Sequence, residues 1–322
     1  MISIPQIRES VNKIIVLGNH EPIIQSILDF DYLSGKKEGS VVGIVTGRRG
    51  FAKYFWGRSE ILIPTLLGGE SLQSSSPSLW LLNLLSGRRT LSSTLEFLND
   101  TPQLAGAALF AENVPELHSL RIINAVQTPL VVGPASVGLL VPGMPNFSAG
   151  ALKLGPIGGI TPTQIEESHL TEPGHVAVMS ASGGMTNELI NIAAGAGHRL
   201  SFALSFGGDR FPVLSPREAF LLAESDPETQ TVLYYGELGG EDEYELVKLK
   251  QEGLFTKQVV AHIAGTVADL FAESPQFGHA KAKADKARVT ARAKRAALQA
   301  AGFIVSSSFS EFIKFVAALV RP

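Results

Sequence analysis

The sequence predicts an α/β protein of two domains, each built on a parallel sheet with helices on both faces. The chain has 322 residues, long enough for about two domains of ~100–200 residues each. Short apolar runs alternate along it with helical patterns, which is typical of doubly wound folds. A stretch rich in glycine and proline, residues 142–163, separates two such regions and is interpreted as the crossover between the domains.

The predicted strands are continuous apolar runs, which suit strands buried on both faces of a parallel sheet. In the first region the strands are 14–18, 41–47, 79–85, 107–110 and 128–133, with a helix at 22–33. In the second region the strands are 175–179, 199–206, 231–235, 258–264 and 303–305, and the helices are 185–196, 216–224, 243–251, 283–301 and 309–320.

Composition excludes several classes of function. The net charge of −3 gives no global field that would favour nucleic acid or an anionic membrane. The absence of cysteine rules out disulfides, thiolate metal sites and cysteine nucleophiles. Residues 1–13 lack the apolar region of a signal peptide, and the most apolar windows are shorter than the ~20 residues that span a bilayer. We therefore expect a cytoplasmic protein that binds neither membranes nor nucleic acid.

The segment 276–280 places a histidine, His279, directly after a glycine. A glycine turn can present the imidazole without hindrance, and imidazole is a nucleophile that is partly neutral near pH 7. Phosphoryl transfer through histidine needs such a ring facing an anion-binding surface. Most histidines after glycine have no chemical role, so His279 is a candidate only in combination with other segments.

The segment 180–188 lies between a predicted strand and a predicted helix and supplies a candidate anion site. Its small residues, Ser182, Gly183 and Gly184, let the backbone approach a ligand, and a helix start offers unpaired N–H groups with a partial positive charge. The alternative is that Ser182 or Thr186 simply caps the helix, and the two interpretations are compatible.

Two further strand ends carry carboxylates. Glu237 follows the strand at 231–235, at the edge where ligand sites of α/β proteins form. Near His279 it would bind one ring nitrogen and fix the tautomer; the alternative is a solvated loop acid. Asp209, in the turn 207–210, is equally ambiguous.

The first region has small residues and arginines at two strand ends, 46–50 and 86–89. Guanidinium groups bind phosphate bidentately, so these turns suit a nucleotide or coenzyme A. The turn after 14–17 lacks the Gly-x-Gly-x-x-Gly pattern, which argues against an ordinary nicotinamide site. No cluster has convincing metal-ligand spacing.

The segment 281–295 is strongly basic. Its cations are Lys281, Lys283, Lys286, Arg288, Arg292, Lys294 and Arg295, against the one acid Asp285. We interpret it as a solvated helix face, and nucleic-acid binding is the less favoured alternative because the rest of the chain is not basic.

Seven segments, in the same order, resemble the α-subunit of succinyl-CoA synthetase and, more closely, the corresponding part of ATP-citrate lyase. They are 28–32, 54–57 with 60–64, 133–138, 182–188, 207–210, 236–240 and 276–280. In succinyl-CoA synthetases the segment 54–56 and the residue at Gly184 differ, which favours the citrate-type branch. The resemblance spans nearly the whole chain. It implies a Rossmann-like CoA-binding domain at residues 1–145, followed by a flavodoxin-like CoA-ligase domain at residues 146–322, on parallel sheets.

The resemblance also implies roles for individual residues. His279 would be phosphorylated and Glu237 would orient it, while Glu112 matches a glutamate that the family places near the active site. The phosphate and citrate would bind at Ser182, Gly183 and Gly184. The CoA-binding positions would be Thr46, Gly47, Lys53, Ser86, Arg88, Gly133, Pro134, Ala135 and Ser136.

The sequence departs from the family at two points. Lys281 stands where the family usually has glycine, and this cation would stabilise a phosphohistidine or change how its loop moves. The chain stops at Pro322, without the citrate-synthase-like domain that follows in ATP-citrate lyase. It is therefore expected to form citryl-CoA without cleaving it, an organisation that resembles the small subunit of citryl-CoA synthetase.

The expected reaction converts ATP, citrate and coenzyme A into citryl-CoA, ADP and phosphate. No ATP-grasp region is visible in the sequence, so ATP and Mg²⁺ are expected on a larger β-type partner subunit, in an α₂β₂ or higher hetero-oligomer. Three alternatives remain open: a ligase of succinate or another acid, a CoA-binding interaction protein with an inactive site, and a fragment of a longer lyase.

Overall fold

The computed structural model describes residues 1–68, 78–101, 104–126, 128–271, 273–279, 281–284 and 286–320. These residues form two seven-stranded sheets with helices packed against them. Ala280 and Asp285, which belong to the histidine motif and the basic segment, lie outside the described ranges.

The first sheet has the topology of a Rossmann fold. Its strands are β1 (Asn12–Leu17), β2 (Val41–Val45), β3 (Gly50–Trp56), β4 (Ser59–Leu66), β5 (Ser78–Asn83), β6 (Leu104–Leu109) and β7 (Leu130–Val132). Their order is β3-β4-β2-β1-β5-β6-β7. From β4 to β7 all neighbours are parallel and follow the Rossmann order. The hairpin strand β3 is antiparallel to β4 and was not predicted.

The second sheet has the topology of flavodoxin. Its strands are β8 (Leu139–Val141), β9 (Leu152–Leu154), β10 (Pro173–Ser180), β11 (Leu200–Ser205), β12 (Thr231–Glu237), β13 (Gln258–Ala264) and β14 (Ile304–Ser306). The order β11-β10-β12-β13-β14 is parallel and matches that fold. Antiparallel β8 and β9 extend the sheet beside β11, so the expectation of parallel sheets holds for the centre of each sheet and fails at one edge of each.

The α-helices of the described ranges precede, separate and follow these strands along the chain. They are α1 (Ile4–Arg8), α2 (Glu21–Leu33), α3 (Gly87–Asp100), α4 (Glu116–Ala125), α5 (Pro162–Glu167), α6 (Gly183–Gly195), α7 (Pro216–Ser225), α8 (Asp242–Gln251), α9 (Ala291–Ala300) and α10 (Phe309–Ala317). Across the described ranges, none is long and apolar enough to cross a membrane.

The predicted helix 283–301 is wrong at its start, because α9 begins only at Ala291. The Thr290 side chain caps it, accepting a 3.2 Å hydrogen bond from the amide of Ala293. The residues before Thr290 include a separate short turn, Ala287–Val289. The described residues between His279 and Thr290 therefore belong to the loop that carries His279 and not to α9.

The two sheets are joined over a shared core. One hydrophobic cluster includes Val16 and Trp80 of the first sheet together with Met179 and Phe202 of the second. Arg8, at the end of α1, reaches across this junction: it donates to Asp226 at 2.6 Å and to the carbonyl of Ser201 at 2.8 Å. Both Arg8 and Asp226 are buried.

The domain boundary at 145/146 stays a prediction. The second sheet takes β8 from the N-terminal side of that position and β9 from its C-terminal side. The chain passes from one sheet to the other through the turn between β7 and β8, which contains Gly133 and Pro134.

Candidate active site

Loops from both sheets enclose a cleft of about 360 Å³. Each loop follows the carboxyl end of a strand, where ligand sites of parallel sheets form. The loops after β6 and β7 belong to the first sheet, and those after β10, β11 and β13 to the second. The residues that line the cleft are Phe110, Glu112, Asn113, Ala135, Ser136, Val137, Ser182, Gly183, Gly184, Gly208, Asp209, Gly278 and His279.

His279 and Glu237 form a hydrogen-bonded pair at the cleft. The ring Nδ1 lies 2.7 Å from Glu237 Oε1. A carboxylate only accepts hydrogen bonds, so Nδ1 carries the proton and Nε2 is the nitrogen available for chemistry. Gly208 makes room for the ring, since a Cβ there would lie 2.9 Å from Nε2. The structure thus brings together two residues that the sequence placed 42 positions apart.

The surroundings raise the pKa of His279 above its ordinary value. The largest cause is the hydrogen bond to Glu237; burial opposes it, the charge of Glu237 adds to it, and the charge of Lys281 opposes it. Glu112, exposed on the cleft wall, also raises this pKa through its charge. The pair therefore holds a proton on Nδ1 firmly, and the nucleophilic form of the ring appears at a higher pH than for a free histidine.

A buried lysine forms hydrogen bonds with the backbone at Glu237. Lys294, on α9, donates to the main-chain oxygen of Glu237 at 2.7 Å and also to that of Gly239. Its charge is matched by Glu243 at 2.6 Å, which in turn accepts a 3.2 Å hydrogen bond from Tyr234. Burial raises the pKa of Glu243, and Lys294 opposes that shift.

The turn after Glu237 needs glycine for a packing reason. Gly239 has φ +80°, and a Cβ there would lie 2.0 Å from the carbonyl oxygen of Lys281. The backbone of the glutamate turn therefore touches the backbone of the histidine loop. The amide of Gly239 also donates to Val289 at 2.8 Å, which fastens the same loop further along the chain.

The start of α6 offers main-chain donors to the cleft. The Ser182 side chain caps the helix, accepting from the amide of Met185 at 3.3 Å. Within the described part of the chain, the amides of Gly183 and Gly184 have no hydrogen-bond partner. Open space surrounds the Cβ position of Gly184. The cap predicted for Ser182 is therefore confirmed. Unpaired amides at a helix N-terminus attract anions, and the anion site stays a prediction.

Asp209 joins the cleft as an acid that the sequence left ambiguous. It accepts a 3.1 Å hydrogen bond from the amide of Val114. Burial raises its pKa, backbone hydrogen bonds lower it, and the nearby charge of Glu112 raises it further. It lies on the side of the cleft that faces the first domain.

The predicted CoA-binding residues fall into two groups. Thr46, Gly47, Ser86 and Arg88 are not in the cleft lining; they follow β2 and β5, which flank β1 at the point where the strand order reverses. Lys53 lies apart, on the exposed β3–β4 hairpin, in an ion pair with Glu60.

The second group comprises Gly133, Pro134, Ala135 and Ser136, in the turn between the sheets, and the last two line the cleft. The hydroxyl of Ser136 is used internally, donating to Ser205 at 2.5 Å and accepting from Gly138 at 2.9 Å. The turn that carries Ser86 and Arg88 approaches the cleft at Gly87, whose Cβ position would lie 3.0 Å from the carbonyl of the cleft residue Glu112. The individual roles of all these residues stay predictions.

The basic segment is only partly a solvated face. Lys294 is 1% exposed and Lys281 is 8% exposed, which corrects that interpretation for both. A signal for Lys294 was present in the sequence, because it shares a helix face with Ala291 and Leu298 at spacings of three and four, and all three are buried. Across the described ranges, no three potential metal-ligating side chains cluster.

Comparison with known proteins agrees with the fold. Residues 179–304 match the family model described as CoA-ligase. ATP-citrate synthase beta chain protein 1 of Arabidopsis thaliana is 38% identical over 290 residues, covering 89% of this chain and 46% of the relative. ATP-citrate synthase of Homo sapiens is 36% identical over 304 residues, covering 93% of this chain and 27% of the relative.

A solved structure of a related protein shows the same fold. The structure of ATP citrate lyase from Methanothrix soehngenii in complex with citrate and coenzyme A superposes with a TM-score of 0.85 at 32% identity, covering 96% of this chain and 49% of that one. The chain spans about half the length of the plant relative and of this structure, and about a quarter of the human one. By its fold, its motifs and these matches, the chain contains a CoA-ligase domain over residues 179–304 and is related to the corresponding part of ATP-citrate synthases and of ATP citrate lyase.

Proposed function

We propose that this chain is the α-type part of an ATP-dependent acid–CoA ligase that forms citryl-CoA through a phosphohistidine at His279. The observation that carries the proposal is the His279–Glu237 pair, at 2.7 Å, in a cleft that also receives the amides of Gly183 and Gly184. The proposed nucleophile and the proposed anion site thus line one cleft, and Glu237, which would orient the nucleophile, contacts it from beside that lining.

The chemistry follows from which ring nitrogen is engaged. His279 Nε2 attacks the γ-phosphorus of ATP; an N–P bond forms, the P–O bond to ADP breaks, and the Nδ1 proton stays on its hydrogen bond to Glu237. The phosphoryl group then passes from Nε2 to a carboxylate oxygen of citrate. The thiol of coenzyme A attacks that acyl phosphate, loses its proton and releases phosphate. Dividing the condensation this way replaces one hard step by easier covalent ones.

The helix start supports the charged intermediates. The amides of Gly183 and Gly184 lie at the positive end of α6 and have nothing else to bind in the described part of the chain. They suit the phosphoryl group on His279, and Ser182 keeps the helix start in place. Preorganised donors of this kind stabilise developing negative charge.

Coenzyme A is assigned to the first domain, with the Thr46–Gly47 and Ser86–Arg88 turns near its phosphates and the turn 133–136 leading to the cleft. A related structure contains citrate and coenzyme A. ATP and Mg²⁺ are assigned to a larger ATP-grasp partner in an α₂β₂ or higher hetero-oligomer, because no ATP-grasp region is visible in the sequence.

Labelling tests the phosphohistidine. The complex purified from its native source is incubated with γ-labelled ATP, and the wild type is expected to acquire an acid-labile label that His279→Asn abolishes. The matched control is His169→Asn, because His169 is partly exposed in a turn at φ +50°, which asparagine tolerates. Label that persists in His279→Asn, or no label in the wild type, overturns the proposal.

Substrate choice is tested separately. With the same complex, CoA-dependent release of phosphate from ATP is compared for citrate and succinate. We expect citrate to be preferred. A strong preference for succinate would move the chain to the succinate branch, without affecting the role proposed for His279.

A further inference from the structure

Lys281, two residues after His279, lies between a carboxylate and an aromatic ring. Its Nζ forms a close ion pair with Asp242 and sits 5.5 Å from the centre of the Phe206 ring. The two side chains of the ion pair are 8% and 19% exposed. The ammonium group is therefore already engaged with the protein, although its sequence position suggested a free cation beside a phosphate.

Both partners belong to elements that define the site. Asp242 begins α8, directly after the turn that carries Glu237. Phe206 follows β11 and precedes Gly208, against which the His279 ring packs: a Cβ at Gly208 would lie 2.7 Å from ring Cδ2. The backbone of Lys281 adds a third attachment, through the close approach of its carbonyl to Gly239.

We propose that Lys281 is a positioning residue that fastens the His279 turn to α8 and to the end of β11, and so keeps Nδ1 on Glu237 and Nε2 toward the cleft. The proposal rests on the proposed function only where it names Nε2 as the phosphoryl acceptor. The competing role, a cation that binds the phosphoryl group directly, requires Nζ to leave Asp242.

Charge and position have opposite effects on the titration of His279, which separates the two explanations. The positive charge of Lys281 lowers the pKa of His279, whereas the hydrogen bond to Glu237 is the largest cause that raises it. If Lys281 acts only by charge, Lys281→Met raises the pKa. If it positions the ring, Lys281→Met loosens that hydrogen bond and the pKa falls. Glu112 and Asp209 are the other charged groups near the ring, and Asp242 faces Lys281 itself; Lys281→Met retains all three.

The test is NMR of the imidazole nitrogens in the isolated full chain, titrated with pH. Lys281→Met and Asp242→Asn are each expected to lower the His279 midpoint toward the ordinary value and to weaken the signature of a hydrogen-bonded Nδ1–H. Lys281→Arg, which can keep the ion pair, should restore both. The matched control Lys283→Met changes an exposed lysine of the same loop and should leave both unchanged. A higher midpoint in Lys281→Met with the Nδ1 signature intact overturns the proposal, as does no change.

A second arm uses phosphoramidate as the phosphoryl donor, which needs no partner subunit. Lys281→Met is expected to phosphorylate His279 about tenfold more slowly, because the ring is no longer held in the productive orientation. If instead the rate is unchanged and the phosphohistidine only decays faster, Lys281 binds the phosphoryl group and positioning is wrong. Absence of labelling by ATP in the native complex would overturn the proposed function alone, since the NMR result does not depend on it.

Discussion

The amino group of Lys294 lies 2.7 Å from the main-chain oxygen of Glu237 and supports the residue whose carboxylate binds His279. The His279–Glu237 pair thus depends on a lysine that does not line the cleft. A buried ion pair with Glu243 keeps this lysine in place.

Removing that lysine should destabilise the fold strongly. Lys294→Met leaves the Glu243 carboxylate buried without its cation, and such a loss costs about 3–5 kcal/mol. Urea unfolding measures it. The double variant Glu243→Gln/Lys294→Met removes the uncompensated charge and should recover part of the loss. The exposed pair Arg288–Glu241 provides the control, and Arg288→Met should change stability by less than about 1 kcal/mol. If Lys294→Met and Arg288→Met lower the free energy of unfolding equally, burial does not make the Lys294–Glu243 pair more costly to break than an exposed pair.

The His279–Glu237 pair should make stability depend on pH. The pKa of His279 is raised in the folded protein, so its protonation stabilises the fold. This contribution is complete below the unfolded value of ~6.5 and is lost as pH rises through the folded pKa. Glu237→Gln should therefore destabilise the chain more at about pH 5.5 than at about pH 9. Glu241→Gln, an exposed acid nearby, is the control. A loss that is the same at both pH values contradicts the coupling.

Replacing each of the two glycines at the start of α6 by alanine should have different effects on stability. A Cβ at Gly183 would lie 2.5 Å from Cγ1 of Val137, whereas nothing lies within 4 Å at Gly184. Gly183→Ala should lower the unfolding midpoint, because Val137 must move. Gly184→Ala should keep or raise it, by up to about 1 kcal/mol from the better helix propensity of alanine. Thermal unfolding of the two variants side by side decides, and the reverse order would contradict the packing described here.

The buried Lys153 should give the stability a second dependence on pH, opposite in sign to the one that His279 gives. It is completely buried, donates to Ser26 and Gly155 at 2.9 Å, and burial lowers its pKa to about 7. Between that value and the unfolded value of ~10.4, only the unfolded chain binds the proton, so stability rises with pH over this window. Lys153→Met should remove that rise, measured by urea unfolding at about pH 7 and about pH 9.5. Lys248→Met, at an exposed position of α8, should retain the rise, and a wild type without any rise contradicts the low pKa.

The parts of the fold that the sequence predicted share one physical cause. Strands such as β1 and β12 are buried on both faces, so they are continuous apolar runs that are visible without knowledge of the partner strand. His279, Glu237 and Gly183 could be proposed from the sequence because each lies at or beyond the carboxyl end of a strand, and parallel strands gather these ends at one edge.

The parts that were missed depend on contacts distant in sequence. β8 and β9 are three residues each and exist because β8 pairs with β11. Lys281 and Lys294 look like the solvated cations around them, since their partners Asp242 and Glu243 lie about 40 to 50 positions earlier. The start of α9 was missed because the apolar spacing continues through the loop before Thr290.

The buried Arg8–Asp226 pair should restrict movement of the two domains relative to each other. An ion pair that has left water on both sides is costly to separate, and here it bridges the two domains beside a core that they share. We therefore expect the width of the cleft to be set when the chain folds. In the proposed reaction, travel of the phosphoryl group would then come from the histidine loop or from the substrates, and crosslinking α1 to α7 should leave the activity intact.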